Sequence, residues 1–535
     1  MTPSPLASLL LRAAEHPKLR DYQVAEVRKL ADAVRSGSRR PLCQLPTGAG
    51  KTVIGSTIAK TLADAGLRVL ILATRTRLVR QWHQQLAGLG ARAGVIAAQA
   101  PHLRDFTARV QIASADTLHR RCMTVERMPL PGADVVIFDE AHLAAADTRL
   151  GLLEGYPGAL RLGFSATPAR RSGRGLGAVF DSLVCGPSID ELTRRGVLVP
   201  AKVFSSPIVT ADDLAALPKD ATSDYAPGAL GHLLMRPRLA GDVVQNWLRI
   251  AAGKRTFLFA VNKAHGAALA EEFSRAGVAA ELLTDADDEA TRDAAIARLE
   301  SGATQVLLNC FLMSYGVDVP SLEAVVLARP TRSLAMYLQM VGRGLRPSPG
   351  KEHCLLIDHG RVIENLGLPN TPIAWSLDDE TNVNREAERR TSSHAVERPR
   401  TCPECGHVWL ITEFGSACRE CGWAPAPKAR EVAVEEVELE EIGTHSPYAS
   451  IGSPEFTQFV REAIGYGAQR KPDKWAQRPS AIRAAAWHAA REKFDVPDGS
   501  IPRWAWGLEP LPPSEATAGY MTYRRIRFAK SRRAA

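Results

Sequence analysis

The sequence predicts an α/β protein with two tandem parallel-sheet domains followed by smaller modules. Three observations support this prediction. Short apolar runs alternate with helical stretches over the first 185 residues, and the same alternation returns after residue 239. A glycine-rich loop lies between a strand and a helix in the first half, and four clustered cysteines follow the second half. Such alternation with short loops is typical of parallel sheets, and 535 residues are too many for a single core.

The first domain is organised around the loop from Leu45 to Thr52, which follows an apolar run over 41–45 and opens a helix over 53–65. Its glycines let backbone amides turn towards phosphate oxygens, and the dipole of the helix adds positive potential. Lys51 can reach the β- and γ-phosphates, and the Thr52 hydroxyl can ligate Mg²⁺. The alternative is a glycine-rich turn before an ordinary helix. The candidate nucleotide-binding residues in this loop are Pro46, Thr47, Gly48, Ala49, Gly50, Lys51 and Thr52.

Arg20 and Gln23 stand just upstream, at the start of an amphipathic helix over 24–34. A glutamine amide can pair with both the donor and the acceptor on the edge of adenine. Both residues are therefore candidate nucleotide contacts, with the start of a surface helix as the alternative.

Two predicted strands of the first domain end in polar residues. The run over 68–74 ends at Thr74 and is followed by Arg75 and Arg77, whereas the run over 110–114 ends at Ser114, ahead of Thr117. Ligands gather at the carboxyl ends of strands in open α/β sheets, so these side chains are candidate contacts to a nucleic-acid backbone. Ordinary loops between strand and helix are the alternative.

An acidic pair, Asp139 and Glu140, follows the buried run over 134–138. Asp139 can hold Mg²⁺ opposite Thr52, and Glu140 can orient and activate the attacking water. A chance acidic pair at a strand end is the alternative. His142, with Ser165 and Thr167 after the next strand, is expected to couple the state of the nucleotide to the neighbouring domain.

The second alternation, which has no glycine loop of its own, predicts strands over 256–260, 280–284, 305–309, 324–327 and 354–358. Taken together, the motifs over about 17–360 resemble, in content and order, those of superfamily 2 helicases of the DEAD/DEAH-box type, which have two RecA-like domains. Arg-x-x-Gln, Pro-Thr-Gly-Ala-Gly-Lys, Gly-Val-Asp-Val-Pro and Val-Gly-Arg-Gly-Leu-Arg-Pro most resemble RadD-like helicases and the helicase subunits of type III restriction enzymes. The departures are mild: Leu45 replaces a leading glycine, and Ser314 replaces a frequent threonine.

This resemblance implies that ATP and Mg²⁺ bind between the two domains and that closure and opening ratchet the protein along a strand. Arg343 and Arg346, three residues apart on one helix face, would stabilise charge on the transferring phosphoryl group. The implied catalytic residues are Lys51, Asp139, Glu140, Arg343 and Arg346. Gly316, Asp318 and Gln339 join the nucleotide-binding residues, and Asn262 and Ser314 join the nucleic-acid contacts.

The cysteines Cys402, Cys405, Cys418 and Cys421 form two Cys-x-x-Cys pairs, each followed by glycine, and this spacing predicts a structural Zn²⁺ ribbon. Two disulfides are the alternative. The other five cysteines are scattered in apolar contexts and are interpreted as buried thiols. Trp409, Phe414 and Trp423 are expected either to pack this small module or to stack on bases.

The last part of the chain is basic. Residues 461–535 carry fifteen Lys or Arg against seven Asp or Glu, which is close to the whole net charge of +9. Tryptophans are interspersed among these cations, which predicts a nucleic-acid-binding or partner-docking segment. A small helical cap with a solvated basic face is the alternative.

The predicted boundaries are 1–16 for an N-terminal arm, 17–185 and 239–376 for the two domains, 186–238 for their connection, 398–426 for the zinc ribbon and 446–535 for the basic region. An ATP-dependent helicase or translocase acting on single-stranded or branched DNA in repair, recombination or replication is the leading hypothesis, with repair or replication proteins as further partners. An RNA helicase and an ATP-switched adaptor are the alternatives. No apolar run is long enough to span a membrane, so a cytoplasmic protein without a membrane partner is expected.

Overall fold

The computed structural model describes residues 5–235, 237–310, 319–392, 399–425, 451–496 and 501–534. The chain divides into two compact units, residues 1–426 and 427–535. The first unit contains two parallel sheets and a small antiparallel ribbon, and the second is helical where it is described. No helix in the described ranges combines the length and apolarity needed to cross a membrane.

The first sheet has seven parallel strands in the spatial order β3-β4-β2-β5-β6-β1-β7. Its central strands confirm the predicted alternation. The edge strands β3 and β7 were not predicted, because four-residue edge strands carry little apolar pattern of their own. The strands are β1 (Pro41–Gln44), β2 (Val69–Ala73), β3 (Ala93–Ile96), β4 (Val110–Ser114), β5 (Val135–Asp139), β6 (Leu160–Ser165) and β7 (Ser182–Cys185).

The helices of this domain cover both faces of the sheet. Helix α1 lies in the segment predicted as an arm, and it buries Ala7, Leu10 and Ala13 against the next two helices of this group. Residues 5–14 are therefore part of the first core and not a loose arm. The helices are α1 (Pro5–Ala14), α2 (Asp21–Arg35), α3 (Lys51–Asp64), α4 (Thr76–Ala87), α5 (Ala115–His119) and α6 (Asp147–Glu154).

The second sheet has six parallel strands in the order β10-β11-β9-β12-β13-β8. Strand β8 comes from the segment assigned to a connection by sequence, so the structure places part of 186–238 inside the second sheet. Proline-rich flanks concealed this strand, because only its pairing with β13 defines it. The strands are β8 (Ala201–Ser205), β9 (Thr256–Ala260), β10 (Ala280–Leu283), β11 (Val306–Cys310), β12 (Ala324–Leu327) and β13 (Cys354–Asp358).

Nine helices among the described residues accompany this sheet, from the end of β7 onward. Three short helices precede the domain's first long helix, which buries Trp247 against Phe273 at a ring distance of 5.4 Å. The helices are α7 (Ile189–Arg194), α8 (Ala211–Ala215), α9 (Pro227–Leu234), α10 (Pro237–Ala251), α11 (Lys263–Arg275), α12 (Glu289–Ser301), α13 (Leu334–Gly344), α14 (Val362–Leu366) and α15 (Val383–Ser392).

The cysteine ribbon consists of β14 (Arg400–Thr401) paired with β15 (Val408–Trp409), followed by α16 (Ile411–Phe414). It covers the edge of the second sheet at β8: the Ser205 amide donates to the Gly406 carbonyl over 2.8 Å, and the Phe204 and His407 rings lie 5.6 Å apart. Covering an exposed strand edge prevents it from pairing with other chains. Glutamates alternate with Val and Leu over 431–442, which predicts an edge strand with an acidic face, and this stretch lies outside the described residues.

The second unit is a helical bundle with its own apolar core, in which Phe456 and Trp487 meet edge to face at 5.2 Å. The sequence predicts a helix over 481–494, and this stretch forms most of the helix Pro479–Lys493 of the bundle. The helices are α17 (Pro454–Arg470), α18 (Pro472–Gln477), α19 (Pro479–Lys493), α20 (Arg503–Trp506) and α21 (Glu515–Ala534).

Candidate active site

A cavity of about 320 Å³ lies between the two sheets and is lined by residues of both domains. It brings together most of the residues that the sequence singled out for nucleotide chemistry, although they come from positions 20–346. From the first domain these are Arg20, Thr47, Gly48, Gly50, Lys51, Thr52, Asp139, Glu140 and His142; from the second they are Gln339, Arg343 and Arg346.

The glycine loop adopts the conformation that its sequence requires. Gly48 and Gly50 have φ angles of +88° and +81°, in the left-handed region that favours glycine. A Cβ on Gly50 would also stand 2.4 Å from the Gln23 amide nitrogen. The loop therefore turns tightly into α3, with its amides at the positive end of that helix.

Gln23 braces this loop. Its amide nitrogen donates to the Ala49 carbonyl over 3.1 Å, and its side-chain oxygen accepts from the Arg20 amide over 3.0 Å. The Tyr22 hydroxyl donates to the same Ala49 carbonyl over 2.9 Å. Arg20 lines the cavity, so the two predicted nucleotide contacts have different surroundings: Arg20 faces the cavity and Gln23 holds the loop.

Lys51 lies at the base of the cavity, with Nζ 3.2 Å from the Leu45 carbonyl. Burial lowers the pKa of its ammonium group, while the nearby carboxylates of Glu140 and Asp139 act in the opposite direction. A half-buried cation that faces two acids and a glycine loop is suited to a polyanionic ligand.

Asp139 and Glu140 end the central strand β5. Burial and the charge of Glu140 raise the pKa of Asp139, whereas the hydrogen bond to His142 and the charges of Lys51 and Arg343 outweigh burial and hold the pKa of Glu140 below its ordinary value. Glu140 has φ +52° and ψ +53°, a left-handed conformation that is strained for a glutamate and is typical of functional sites.

Trp82 on α4 was not predicted to belong to this site. Its indole N–H donates to Asp139 Oδ2 over 2.8 Å, and its ring occupies the space beside Gly55, where a Cβ would lie 2.3 Å from the ring. Both residues look like ordinary core positions in the sequence. Only the packing of α4 on α3 reveals that a buried tryptophan orients the acidic residue.

A chain of polar contacts joins the acidic pair to the second domain. His142 Nδ1 lies 3.4 Å from Glu140 Oε2 and 3.3 Å from Ser165 Oγ, and its Nε2 lies 3.2 Å from the Gln339 amide nitrogen. That amide nitrogen also donates to Thr167 Oγ1 over 3.4 Å. Of the three residues predicted to couple the domains, His142 and Thr167 thus contact α13 directly, whereas Ser165 contacts His142.

Helix α13 presses closely on the glycine loop. A Cβ on Gly342 would stand 2.7 Å from Thr47 Cβ, so the helix backbone reaches the loop only because glycine stands there. Arg343 and Arg346 are half-buried beside the cavity, and partial burial lowers the pKa of each guanidinium to about 10, which leaves both charged at neutral pH. Arg343 lies in the last turn of α13, but Arg346 follows the end of that helix, which corrects the prediction that both lie on one helix face. Lys351 closes the end of this helix, with Nζ donating to the carbonyls of Gly344 and Arg346 over 2.7 and 2.8 Å.

The structure separates the candidate nucleic-acid contacts into different environments. Thr74 is buried, lines the same cavity, and has no hydrogen-bond partner for its hydroxyl within the described residues. Ser114 is also buried, and Arg77 Nη1 is paired with Asp293 of the second domain over 3.3 Å. Asn262 caps α11 by accepting from the His265 amide over 2.8 Å.

Two of the remaining candidates are half-buried, and three are not among the residues that the structure describes. Arg75 immediately precedes α4 and is half-buried, and Thr117 is half-buried on α5. Ser314, Gly316 and Asp318 lie outside the described residues.

The four clustered cysteines form a compact thiolate set, with all four sulfur atoms within 4.8 Å of one another. Two equivalent turns present them: the Gly406 and Gly422 amides donate to the Cys402 and Cys418 carbonyls, each over 2.9 Å, and both glycines have φ +76°. Four sulfurs at these distances fit a closed tetrahedral Zn²⁺ site.

The aromatic residues of this ribbon have divided roles. Trp409 is buried and donates to the Gly415 carbonyl over 2.9 Å, whereas Phe414 is exposed beneath Arg419. Of the cysteines interpreted as buried thiols, Cys43, Cys310 and Cys354 are buried, but Cys122 is half-buried and Cys185 is exposed, which corrects that interpretation. Cys185 ends an edge strand, where one side of the strand is uncovered.

Comparisons with known proteins are consistent with this geometry. Residues 16–170 match the family described as "Type III restriction enzyme, res subunit", and residues 240–348 match "Helicase conserved C-terminal domain". The 51.5 kDa protein of a Lactococcus phage (isolate 7-9) is 28% identical over 381 residues, covering 71% of this chain and 77% of that protein.

A Saccharomyces cerevisiae protein named as the ATP-dependent helicase IRC3 is 30% identical over 367 residues, covering 65% of this chain and 52% of that protein. The chain therefore spans about half the length of this yeast relative. Among solved structures, a fragment described as an HsdR subunit of a type I restriction enzyme from Vibrio vulnificus YJ016 aligns with a TM-score of 0.54 at 21% identity, covering 69% of each chain. That likeness concerns the fold alone.

Proposed function

The chain belongs to superfamily 2 of the helicases, and on that premise we propose that it hydrolyses ATP to translocate along nucleic acid, with DNA as its substrate. The observation that carries this proposal is the cavity in which the glycine loop, the acidic pair and the two arginines meet. Phosphoryl transfer needs positioning and charge stabilisation from both sides of the γ-phosphate, and these residues could supply them only when the two domains are closed.

The residues divide the proposed chemistry among them. The loop amides and Lys51 hold the phosphates, and Thr52 with Asp139 would hold Mg²⁺, which neutralises phosphate charge when bound. The buried, unpartnered Thr74 hydroxyl in the cavity wall is consistent with a site built for a polar ligand. Glu140 orients the attacking water, and its low pKa keeps it ionised to accept a proton. Arg343 and Arg346 face the developing charge from the second domain.

In this proposal, the chain of polar contacts through His142 couples ATP hydrolysis to movement of the two domains. Because Gln339 contacts both His142 and Thr167, a change at Glu140 during hydrolysis alters contacts between the two domains. Loss of the γ-phosphate would also remove what holds the arginines in the cavity. Both effects favour opening, which is the step that moves the domains along a strand.

The preference for DNA is supported by similarity to the ATP-dependent DNA helicase RecG of Acidithiobacillus ferridurans, which is 25% identical over 359 residues. The role in repair, recombination or replication is proposed on the resemblance of the motifs to those of RadD-like helicases. The cysteine ribbon is proposed to hold one structural Zn²⁺. Its closed set of thiolates offers no open position for catalysis.

The test is ATP hydrolysis by the purified chain alone, with single-stranded DNA, with duplex DNA and with RNA, alongside Glu140→Gln. We expect DNA to stimulate hydrolysis and the variant to lose that turnover. Stimulation by RNA alone would instead identify an RNA helicase. Nucleotide-dependent binding without stimulated turnover would identify an ATP-switched adaptor and contradict the motor.

A further inference from the structure

The short helix α20 of the C-terminal helical unit exposes two large aromatic side chains. Trp504 and Trp506 on α20 are 43% and 38% exposed, whereas Ala505 between them is buried. The short helix is therefore anchored through the alanine while both indoles remain accessible. Tryptophan is usually well buried, so two exposed tryptophans so close together call for a functional explanation.

The Trp504 indole packs against a buried residue of the same unit. Trp504 contacts the buried Trp487 of α19 edge to face, with ring centroids 5.8 Å apart. One turn earlier on α19, Arg483 donates to the Leu508 carbonyl over 3.2 Å, just beyond α20. An aromatic surface fixed in this way loses little side-chain entropy when a ligand binds.

Arg483 also links α20 to α18. Its guanidinium carbon lies 4.8 Å from the centroid of the Trp475 ring, while Nη2 donates to the Leu508 carbonyl. Helices α18 and α20 therefore flank the same stretch of α19. We call the surface formed by α18, Arg483 and α20 the tryptophan face.

The charge of the tryptophan face is positive. Lys471, Lys474, Arg478 and Arg503 are all exposed on or beside α18 and α20, against the exposed acids Asp473 and Glu509. This agrees with the wider excess of fifteen cations over seven acids in residues 461–535. A surface with exposed cations beside exposed indoles is suited to bind a polyanion that carries flat apolar rings.

We propose that the tryptophan face binds single-stranded nucleic acid, with Trp504 and Trp506 stacking on bases and the surrounding cations contacting phosphates. Single strands present the faces of their bases, which duplexes conceal within the stack, so exposed indoles select the unpaired form. The four basic side chains on its rim make a polynucleotide the better match than an apolar protein segment. This site lies outside the ATP-binding domains and goes beyond their proposed function.

The contributions of the aromatic and of the basic side chains to binding can be measured separately on the full-length chain. The aromatic variant is Trp504→Ala with Trp506→Ala, and the ionic variant replaces Lys471, Lys474 and Arg478 by Gln. Phe106→Ala is the matched control, because Phe106 is 59% exposed on the first domain and belongs to no proposed site. Binding is followed by the fluorescence anisotropy of labelled thymidine and uridine oligonucleotides of about 20 nucleotides, without ATP and over a range of salt.

We expect the aromatic variant to bind about fivefold or more weakly, with an unchanged dependence on salt, because stacking releases no counterions. The ionic variant should lower the slope of log affinity against log salt by about 2, or about 0.7 for each lost phosphate contact. Trp504→Phe with Trp506→Phe should recover most of the affinity. An aromatic variant that binds like the Phe106→Ala control would overturn the proposal.

Photocrosslinking gives an independent readout. A single strand carrying 5-iodouracil should crosslink to the peptide that contains residues 501–511, and crosslinks confined to residues 5–392 would contradict the proposal. The thymidine and uridine strands distinguish DNA from RNA as the preferred source. If nucleic acid does not stimulate ATP hydrolysis but binding still depends on the two tryptophans, the proposed motor function is contradicted while the proposed binding by the tryptophan face is supported.

Discussion

At the scale of single residues, the cavity is lined by charged side chains that the fold partly shields from water. Lys51, Asp139, Glu140, Arg343 and Arg346 lie together, and each has a pKa shifted by burial and by its neighbours. Such a cluster is costly unless its members compensate one another, and unlike charges in close proximity do so here. Residues that only orient this cluster therefore have measurable effects.

Trp82→Phe should weaken the proposed Mg²⁺ site, because the ring remains but Asp139 loses the indole N–H that orients it. We expect the Mg²⁺ concentration for half-maximal ATP hydrolysis to rise roughly tenfold, as is usual when the outer partner of a metal ligand is lost. Trp247→Phe is the matched control, since the buried Trp247 donates to Thr256 Oγ1 over 2.8 Å in the second domain. An equal change in both variants would show that Trp82 acts only through stability.

His265 should make the second domain sensitive to acid. Burial lowers the pKa of this imidazole from 6.5 to about 4, so the unfolded chain takes up the proton first as pH falls. The free energy of unfolding should therefore decrease from about pH 6.5 to about pH 4, by about 3 kcal/mol from this group. The measurement is the difference in stability between the wild type and His265→Gln across this range. Replacement of the exposed His102 by Gln should leave the pH dependence unchanged.

At the scale of elements, the two domains meet through helices as well as through the cavity. Arg77 and Arg80 on α4 face α12: Arg77 pairs with Asp293 over 3.3 Å, and Arg80 pairs with Glu289 over 3.3 Å. Arg80 also reaches Asp293 over 3.8 Å, so one carboxylate serves two guanidiniums. These pairs are partly exposed, so each contributes modestly and salt weakens it.

Asp293→Asn should make closure of the domains less favourable. We expect the KM for ATP to rise about threefold near 50 mM salt and the difference to shrink near 500 mM, where the pairs are screened. Asp288→Asn is the control, because Asp288 caps the same helix by accepting from the Thr291 amide over 2.8 Å, a bond that asparagine retains. A salt-independent effect of Asp293→Asn would contradict the ionic explanation.

At the scale of the whole molecule, the cysteine ribbon completes the second sheet. Its Gly406 carbonyl accepts from Ser205, Lys202 pairs with Glu420 over 2.6 Å, and Arg249 donates to the Cys405 carbonyl over 3.1 Å. A metal site that folds the ribbon would therefore also protect the β8 edge.

Cys418→Ser should remove the proposed Zn²⁺ and uncover β8. We expect the metal content to fall from about one zinc ion per chain to a small fraction, since a missing thiolate opens the tetrahedron. We also expect faster aggregation on warming, because an uncovered strand edge can pair with another chain. Metal analysis and light scattering measure the two effects, and Cys122→Ser is the control. A variant that keeps its zinc would contradict the four-thiolate site.

The sequence by itself determined the two parallel-sheet domains, the glycine loop, the acidic pair and the thiolate cluster. Each rests on local rules: buried parallel strands read as continuous apolar runs, and phosphate or zinc binding needs particular residues at short spacings. Residues close together along the chain carry such signals, which explains why most central strands and helices fell where they were expected.

Only the tertiary structure decided which residues that are far apart in the sequence come into contact. It placed Trp82 on Asp139, moved Thr74 into the cavity wall, paired Arg77 with Asp293 and inserted β8 at the edge of the second sheet. No local pattern marks these positions, because a buried tryptophan or a short edge strand looks the same whether or not it serves a site. What distinguishes them is the packing of α4 and α12 across the cleft and the pairing of β8 with β13, both of which join segments far apart in the chain.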